Sequence, residues 1–176
     1  MMTHEFVLVL DRRADDEEID ALFDAGCDDA TPVREDGRTM LQFDRESESL
    51  VGALVSALYD VERAGLKVAS VRSDDLVSLR EIANRAGRSY ESVRLLANGS
   101  RGSGGFPPPL SADNWVVYSW SQVGPWFARH LPETEGDHDY LNTPYDRILA
   151  AADHLVRAKA ILNDDAVAAQ LAKLVA

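Results

Sequence analysis

Cys27 is the single cysteine among 176 residues, so no internal disulfide framework can staple the chain, and a small buried role is the expectation for this thiol. No run approaches the ~18 consecutive apolar residues that a membrane-spanning helix needs. The leading stretch MMTHEFVLVLDRRADDEE has a short apolar run with neither a basic lead nor a cleavage-like site. No secretory signal is therefore expected, and the cytoplasm is the default location. Positive charge is scarce: 18 Lys and Arg against 30 Asp and Glu leave a net charge of −12, which argues against affinity for nucleic acid along the whole chain. Enzyme motifs are missing too. There is no phosphate-cradling G-x-x-x-x-G-K-[ST] loop, no G-x-S-x-G elbow and no H-E-x-x-H helix. His130 with Asp137-His138-Asp139 is the one histidine–acid cluster, and it reads as part of a solvated linker. Asp15-Asp16-Glu17-Glu18 lacks the glycine and the spacing of a calcium loop. No enzyme activity, metal or other cofactor is expected.

The shortage of positive charge is uneven. Residues 1–74 carry 8 basic and 18 acidic side chains, residues 132–176 carry 4 and 8, but residues 75–131 carry 6 and 4. The only segment with a positive balance also holds the most structured pattern. Ser78-Leu79-Arg80-Glu81 has the form of a capping box, and Leu79, Ile82, Ala83 and Ala86 follow at helical spacing. Gly87 suits a left-handed helix end that turns the chain sharply. Ser89 then caps a second helix over 90–98, with Val93, Leu95, Leu96 and Ala97 available for burial. Two short helices across a glycine-containing turn make a helix-turn-helix. In such a pair the second helix meets base edges with its N-terminal residues. Arg88, Ser89, Tyr90, Ser92 and Arg94 are the polar groups placed to do so. Arg80 and Asn98 flank them, and Arg101 is the one cation of the following loop. Ser89 and the helix start suit a phosphate, and Arg94 suits a guanine or a phosphate.

The stretch after the second helix, Arg101-Gly-Ser-Gly-Gly-Phe-Pro-Pro-Pro, is too flexible and proline-broken for a helix or a central strand. Residues 115–120 then alternate as a short strand, and Ser121 is read as the cap of a short helix over 121–127. Phe106, Trp115, Trp120, Trp126 and Phe127 are read as core, because no basic stripe interleaves them. This order, carried by EIANRAGRS, VRLLANGSRGSGGFP and YSWSQVGPWF, resembles the winged helix-turn-helix domains of the MerR-like and phage excisionase (AlpA-like) families, in an actinobacterial-type variant. The resemblance covers residues 78–127. It implies a sequence-specific DNA-binding protein, a transcriptional regulator associated with the nucleoid, whose wing at 101–106 lies near the DNA backbone or minor groove. Double-stranded DNA is then the expected partner, with a homodimer as the reading form. The near-neutral charge keeps a second expectation open: an antitoxin-like, adaptor or architectural module that docks a protein.

The flanks complete an α+β expectation. Residues 1–73 read as strand (5–10), helix (15–25), strand (29–34), an Asp36-Gly37 hairpin turn, strand (39–43), a long helix capped by Ser47 or Ser49 and running to Arg63, and strand (66–71). Ile19, Leu22 and Phe23 form the first helical stripe, and Leu50, Leu54, Leu58 and Val61 the second. This β-α-β-β-α-β order is the ferredoxin-like arrangement, here with an acidic surface that suits a protein partner. The winged helix-turn-helix domain occupies 75–131, an acidic linker 132–142 and an amphipathic helical tail 143–176. In the tail Thr143 is read as cap, and Tyr145, Ile148, Leu149, Ala152, Leu155 and Val156 share one face that continues to Ile161. Such a helix packs back on its own chain or across to a partner, so dimerisation through either the tail or the N-terminal domain is compatible with the sequence.

Overall fold

The computed structural model describes residues 1–111, 115–130, 144–162 and 165–174. It is an α+β structure with a four-stranded antiparallel sheet and, among the described residues, seven α-helices. None of those helices is long and apolar enough to cross a membrane. The chain forms two compact units. One is Met1–Arg72 with the described residues from Ala151 onward, and the other lies within Ser73–Ala150.

The first unit runs β1 (Met2–Leu10), α1 (Asp16–Asp24), β2 (Ala30–Glu35), β3 (Arg38–Ser47), α2 (Leu50–Arg63) and β4 (Val68–Val71). The strand order is β2-β3-β1-β4, with every neighbouring pair antiparallel. Burial follows the two-residue period of a half-buried sheet: Phe6, Leu8 and Leu10 on β1, and Thr39, Leu41 and Phe43 on β3. Phe6 and Phe43 are register partners, and their rings stack at 5.1 Å. The β2–β3 turn places Asp36 at φ 50° and Gly37 at φ 75°, the left-handed pair that a two-residue hairpin requires. Ser49 caps α2, its hydroxyl accepting from the Gly52 N–H.

Three expectations need correction here. Phe23 is 62% exposed: α1 is a nine-residue helix whose buried residue is Leu22, with Ile19 half-covered. On α2 the sheet-facing stripe runs through Ala53 and Ala57 as well as Leu50, Leu54 and Val61, and Leu58 is only half-buried. β3 does not stop at Phe43. It continues through Asp44-Arg45-Glu46, because Arg45 turns inward at the next core position and finds Asp29 and Asp60 there.

Cys27 is buried. Burial, and then the charge of Asp60, push its thiol up to about 11, so at neutral pH it stays protonated and unreactive. The start of α1 is built differently, on exposed charge. Asp15 Oδ1 accepts from the Glu18 N–H at 2.9 Å while Glu18 Oε2 accepts from the Asp15 N–H at 3.0 Å, a reciprocal cap. Arg12 forks onto the same carboxylate at 2.5 and 2.8 Å. The hydrogen bond from Arg12, and next the backbone bond from Asp15, hold the Glu18 pKa at about 2 against an ordinary 4.5. A folded-state pKa below the unfolded one means stability that is complete above about 4.5 and lost as pH falls through about 2. An NMR titration of the Glu18 side-chain carboxyl carbon is expected to show a midpoint near 2, and a midpoint near 4.5 would mean that the Arg12 clasp does not form in solution.

The tail forms α6 (Pro144–Ile161), α7 (Asp165–Leu171) and a 3-10 turn (Ala172–Leu174). Buried Asp153 accepts from the Val71 N–H at 3.0 Å and from Arg157 Nε at 2.8 Å, and Lys159 pairs with Glu62. β4 is a sheet edge, and an edge N–H left bare is a pairing hazard. Asp153 caps that donor. The expected apolar face is only partly covered: Tyr145, Ile148, Leu149, Ala152 and Val156 are half-buried, whereas Leu155 and Ile161 are exposed. The Thr143 cap and the linker at 132–142 fall outside the described residues.

The second unit runs β5 (Leu76–Val77), α3 (Leu79–Arg85), α4 (Tyr90–Ala97), β6 (Tyr118–Ser119) and α5 (Trp120–His130). β5 and β6 pair antiparallel. Val77, Ile82, Val93, Leu96 and Val123 form the centre of its core, joined by Tyr118, Trp120, Trp126 and Phe127. Phe106 packs edge-on against Trp126 at 4.9 Å. Trp115 departs from the expected aromatic core, being 81% exposed. The strand expected over 115–120 shrinks to Tyr118–Ser119, and the helix begins at Trp120 instead of being capped by Ser121. The cap comes from elsewhere in the sequence: Asp75 Oδ1 accepts from the Ser121 N–H at 2.6 Å.

Candidate nucleic-acid interface

α3 and α4 owe their geometry to three local devices. Ser78 Oγ accepts from the Glu81 N–H at 3.2 Å, which is one half of the expected capping box. Glu81 spends its carboxylate on Arg85 Nε at 3.1 Å. Gly87, at φ +60°, sits in the turn after α3, where the Arg88 N–H reaches Ala83 O at 2.9 Å. A side chain at that backbone angle is strained, so glycine belongs there. Ser89 Oγ accepts from the Ser92 N–H at 3.2 Å and starts α4. Val93 and Leu96 bury one face of α4, which leaves Tyr90, Glu91 and Arg94 outward.

Arg80, Tyr90, Arg94 and Asn98 come together around one open groove of about 560 Å³, which Ser78, Val116 and Tyr118 also line. The Arg80 guanidinium lies 5.8 Å from the Tyr90 ring centre, within cation–π range. Burial, followed by the proximity of Tyr90, raises the Tyr118 phenol above its ordinary pKa, so it enters the groove as a neutral donor. Asn98 ends α4, and its Oδ1 accepts from the Ser100 N–H at 3.0 Å. That bond leaves its amide NH₂ as the group to offer a ligand.

The other expected residues stand apart from the groove lining. Arg88 is half-buried, and its Nε is enclosed without a hydrogen-bond partner among the described residues. Ser89 is committed to the cap, and Ser92 is half-buried. Arg101 is exposed, at the start of the glycine loop. The loop over 101–106, the expected wing, holds no strand. Trp126 Nε1 donates to Gly104 O at 3.2 Å, and a Cβ on Gly102 would meet Leu96 Cδ2 at 2.9 Å, so the loop is laid onto the core. Backbone pairing lies further along, where the Leu110 N–H donates to Val117 O at 2.8 Å and Ser111 bridges Val117.

Glu91 is the residue that sequence reasoning missed. It accepts from Arg94 Nε at 2.9 Å and from Arg94 Nη2 at 2.6 Å. The hydrogen bond from Arg94, with its charge acting in the same direction, holds the Glu91 carboxyl below its usual range, and the same contact raises Arg94. The signal was present as opposite charges three residues apart on a helix. No group of three or more His, Cys, Asp or Glu side chains among the described residues is arranged to hold a metal. Comparison of the chain with protein-family models, with curated proteins and with solved structures finds no match.

Proposed function

We propose that the second unit is a winged helix-turn-helix DNA reader of the MerR-like or excisionase-like kind, in a dimeric transcriptional regulator that works on the nucleoid. The observation that carries this reading is the outward face of α4. A Ser89-capped helix presents Tyr90 and Arg94 beside Arg80, on the edge of an open groove. With α4 in the major groove, its first turn faces base edges and the paired residues Leu110, Ser111 and Val117 run along the flanking backbone. The β-α-β-β-α-β unit is then a ferredoxin-like partner domain, and either it or the helical tail joins two copies. Such a dimer reads half-sites about 34–36 Å apart, one turn of the duplex.

The test is selection from a random duplex pool with the full chain at moderate salt. A paired half-site motif is expected. Arg94→Ala should weaken binding to the selected site by about 1–3 kcal/mol, and unchanged affinity would remove Arg94 from the base-reading set. A specific observation favours a second reading, a protein-docking module: Glu91 compensates the charge of Arg94, and the segment has few cations to spare. A pool in which no motif enriches would select that reading over DNA recognition.

A further inference from the structure

We infer that Glu91 is a positioning residue that presets Arg94 to read a guanine through the end of its guanidinium. This inference rests on the DNA-reading proposal. Nε and Nη2 together form the side-on fork of a guanidinium, and both donate to the Glu91 carboxylate, at 2.9 and 2.6 Å. The end-on fork is left, made of one N–H of Nη1 and the second N–H of Nη2. Nothing else among the described residues takes those donors from Arg94. A pair of parallel N–H groups held at that edge matches the O6 and N7 acceptors of guanine in the major groove.

Position supports the same assignment. Glu91 and Arg94 occupy the second and fifth residues of α4, and both belong to the outward face. An exposed pair of this kind contributes little to folding, because the Arg94 side chain is 45% exposed and that of Glu91 60% exposed. Its consequence lies in restricting a long, rotamer-rich side chain before the ligand arrives, so that less freedom is lost on binding. A bare carboxylate on that face would be repelled by phosphates. Paired with Arg94, it is compensated, so that the pair as a whole is neutral, and it still fixes the fork.

These two effects give Glu91→Ala a signature that a purely structural residue lacks. Removing the carboxylate takes away a negative charge and frees the arginine. Affinity for random duplex should therefore rise, while discrimination at one base pair falls. Glu81→Gln removes a charge on α3 without touching Arg94, so it serves as the control for charge alone.

The experiment uses the full chain and the duplex selected from the random pool, with each guanine of a half-site replaced in turn by 7-deazaguanine, which lacks the N7 acceptor. Wild type is expected to lose about tenfold in affinity at one guanine. Glu91→Ala should lose less than about threefold there, with wild-type penalties at the other positions, and Glu81→Gln should keep the full penalty. Thermal melts of the three proteins should coincide. A full penalty in Glu91→Ala, or a wild-type protein indifferent to every 7-deazaguanine, overturns the inference while leaving DNA reading intact. A pool that yields no motif overturns DNA reading itself, and this inference with it.

Discussion

Asp75→Ala is expected to destabilise the second unit by about 2–4 kcal/mol, because it removes a charged acceptor from a helix start and from a buried hydroxyl at once. Asp75 is 6% exposed. Its Oδ1 accepts from the Ser121 N–H at 2.6 Å and its Oδ2 from Ser119 Oγ at 2.8 Å, while its backbone carbonyl accepts from the Trp120 N–H at 2.7 Å. Alanine leaves the backbone contact in place and takes the carboxylate away from the Ser121 N–H and from Ser119 Oγ, which keeps the Ser121 hydroxyl at 2.7 Å. β5 and β6 are only two residues each, so they lack the ladder that would hold α5 against α3 and α4 without this carboxylate. Trp115, Trp120 and Trp126 are the three tryptophans of the chain, and all lie in this unit. Tryptophan fluorescence during urea unfolding therefore reports on it selectively. Asp75→Asn keeps one acceptor oxygen and should fall between alanine and wild type. An alanine variant within about 0.5 kcal/mol of wild type would mean that Asp75 does not hold α5, since surface substitutions stay inside that range.

The elements that sequence reasoning located well are those whose signals are local. Ser49, Ser78 and Ser89 cap the helices they precede, and Asp36-Gly37 makes its hairpin turn, because a cap or a tight turn is decided within a few residues. The strand stretches 5–10 and 39–43 were legible for the same reason. The failures share the opposite property. Asp75 caps α5 from 46 positions away, and no local window contains that pairing, so Ser121 looked like the cap. The Asp44-Arg45-Glu46 run looked like the end of a strand because its counter-charges sit at Asp29 and Asp60. Trp115 looked like core because composition cannot distinguish an aromatic side chain pointing inward from one left on the surface. In the candidate site, Arg80, Tyr90 and Arg94 were legible from helical spacing. Tyr118 and Val116 were not, since their place in the groove depends on how β6 meets α4. Glu91 was legible in principle from its charge three residues before Arg94, although it is an acceptor in a stretch otherwise marked by its donors.

The largest effect in the first unit is expected at Arg45, where replacement by alanine should cost about 3–5 kcal/mol, the range for breaking a buried ion pair by removing one partner. Arg45 is 7% exposed on β3. Its guanidinium holds Asp29 at 2.8 and 2.9 Å, Asp60 and Ser56 Oγ at 2.8 and 3.0 Å, and the Gly26 carbonyl at 2.6 Å, with its flat face 4.9 Å from the Phe43 ring centre. Burial works against its charge, but the hydrogen bonds to Asp29 and Asp60 outweigh that and raise its pKa. One side chain thus ties β3 to α2 and to the turn after α1. Arg45→Lys keeps the charge, but a single ammonium cannot fork onto both carboxylates, so it should recover only part of the loss. The informative comparison replaces all three charges, with Arg45→Met, Asp29→Ala and Asp60→Leu together. If the cost of Arg45→Ala is two carboxylates deprived of their buried partner, with only the exposed Arg63 left to Asp60 at 3.2 Å, the triple variant regains most of the stability, because neither carboxylate remains to be desolvated. If the cost is lost packing around the guanidinium and its stem, the triple variant stays as unstable as the single one. Hydrogen exchange at the Leu8, Leu41 and Phe43 amides confines the readout to this sheet. A single variant within about 1 kcal/mol of wild type would show that the pair is as weak as a surface one. β3 would then owe its last four residues to pairing with β1, through the register that joins Met2 to Ser47 and His4 to Arg45, and to the Asp44 N–H donating to Asp29 O at 3.1 Å.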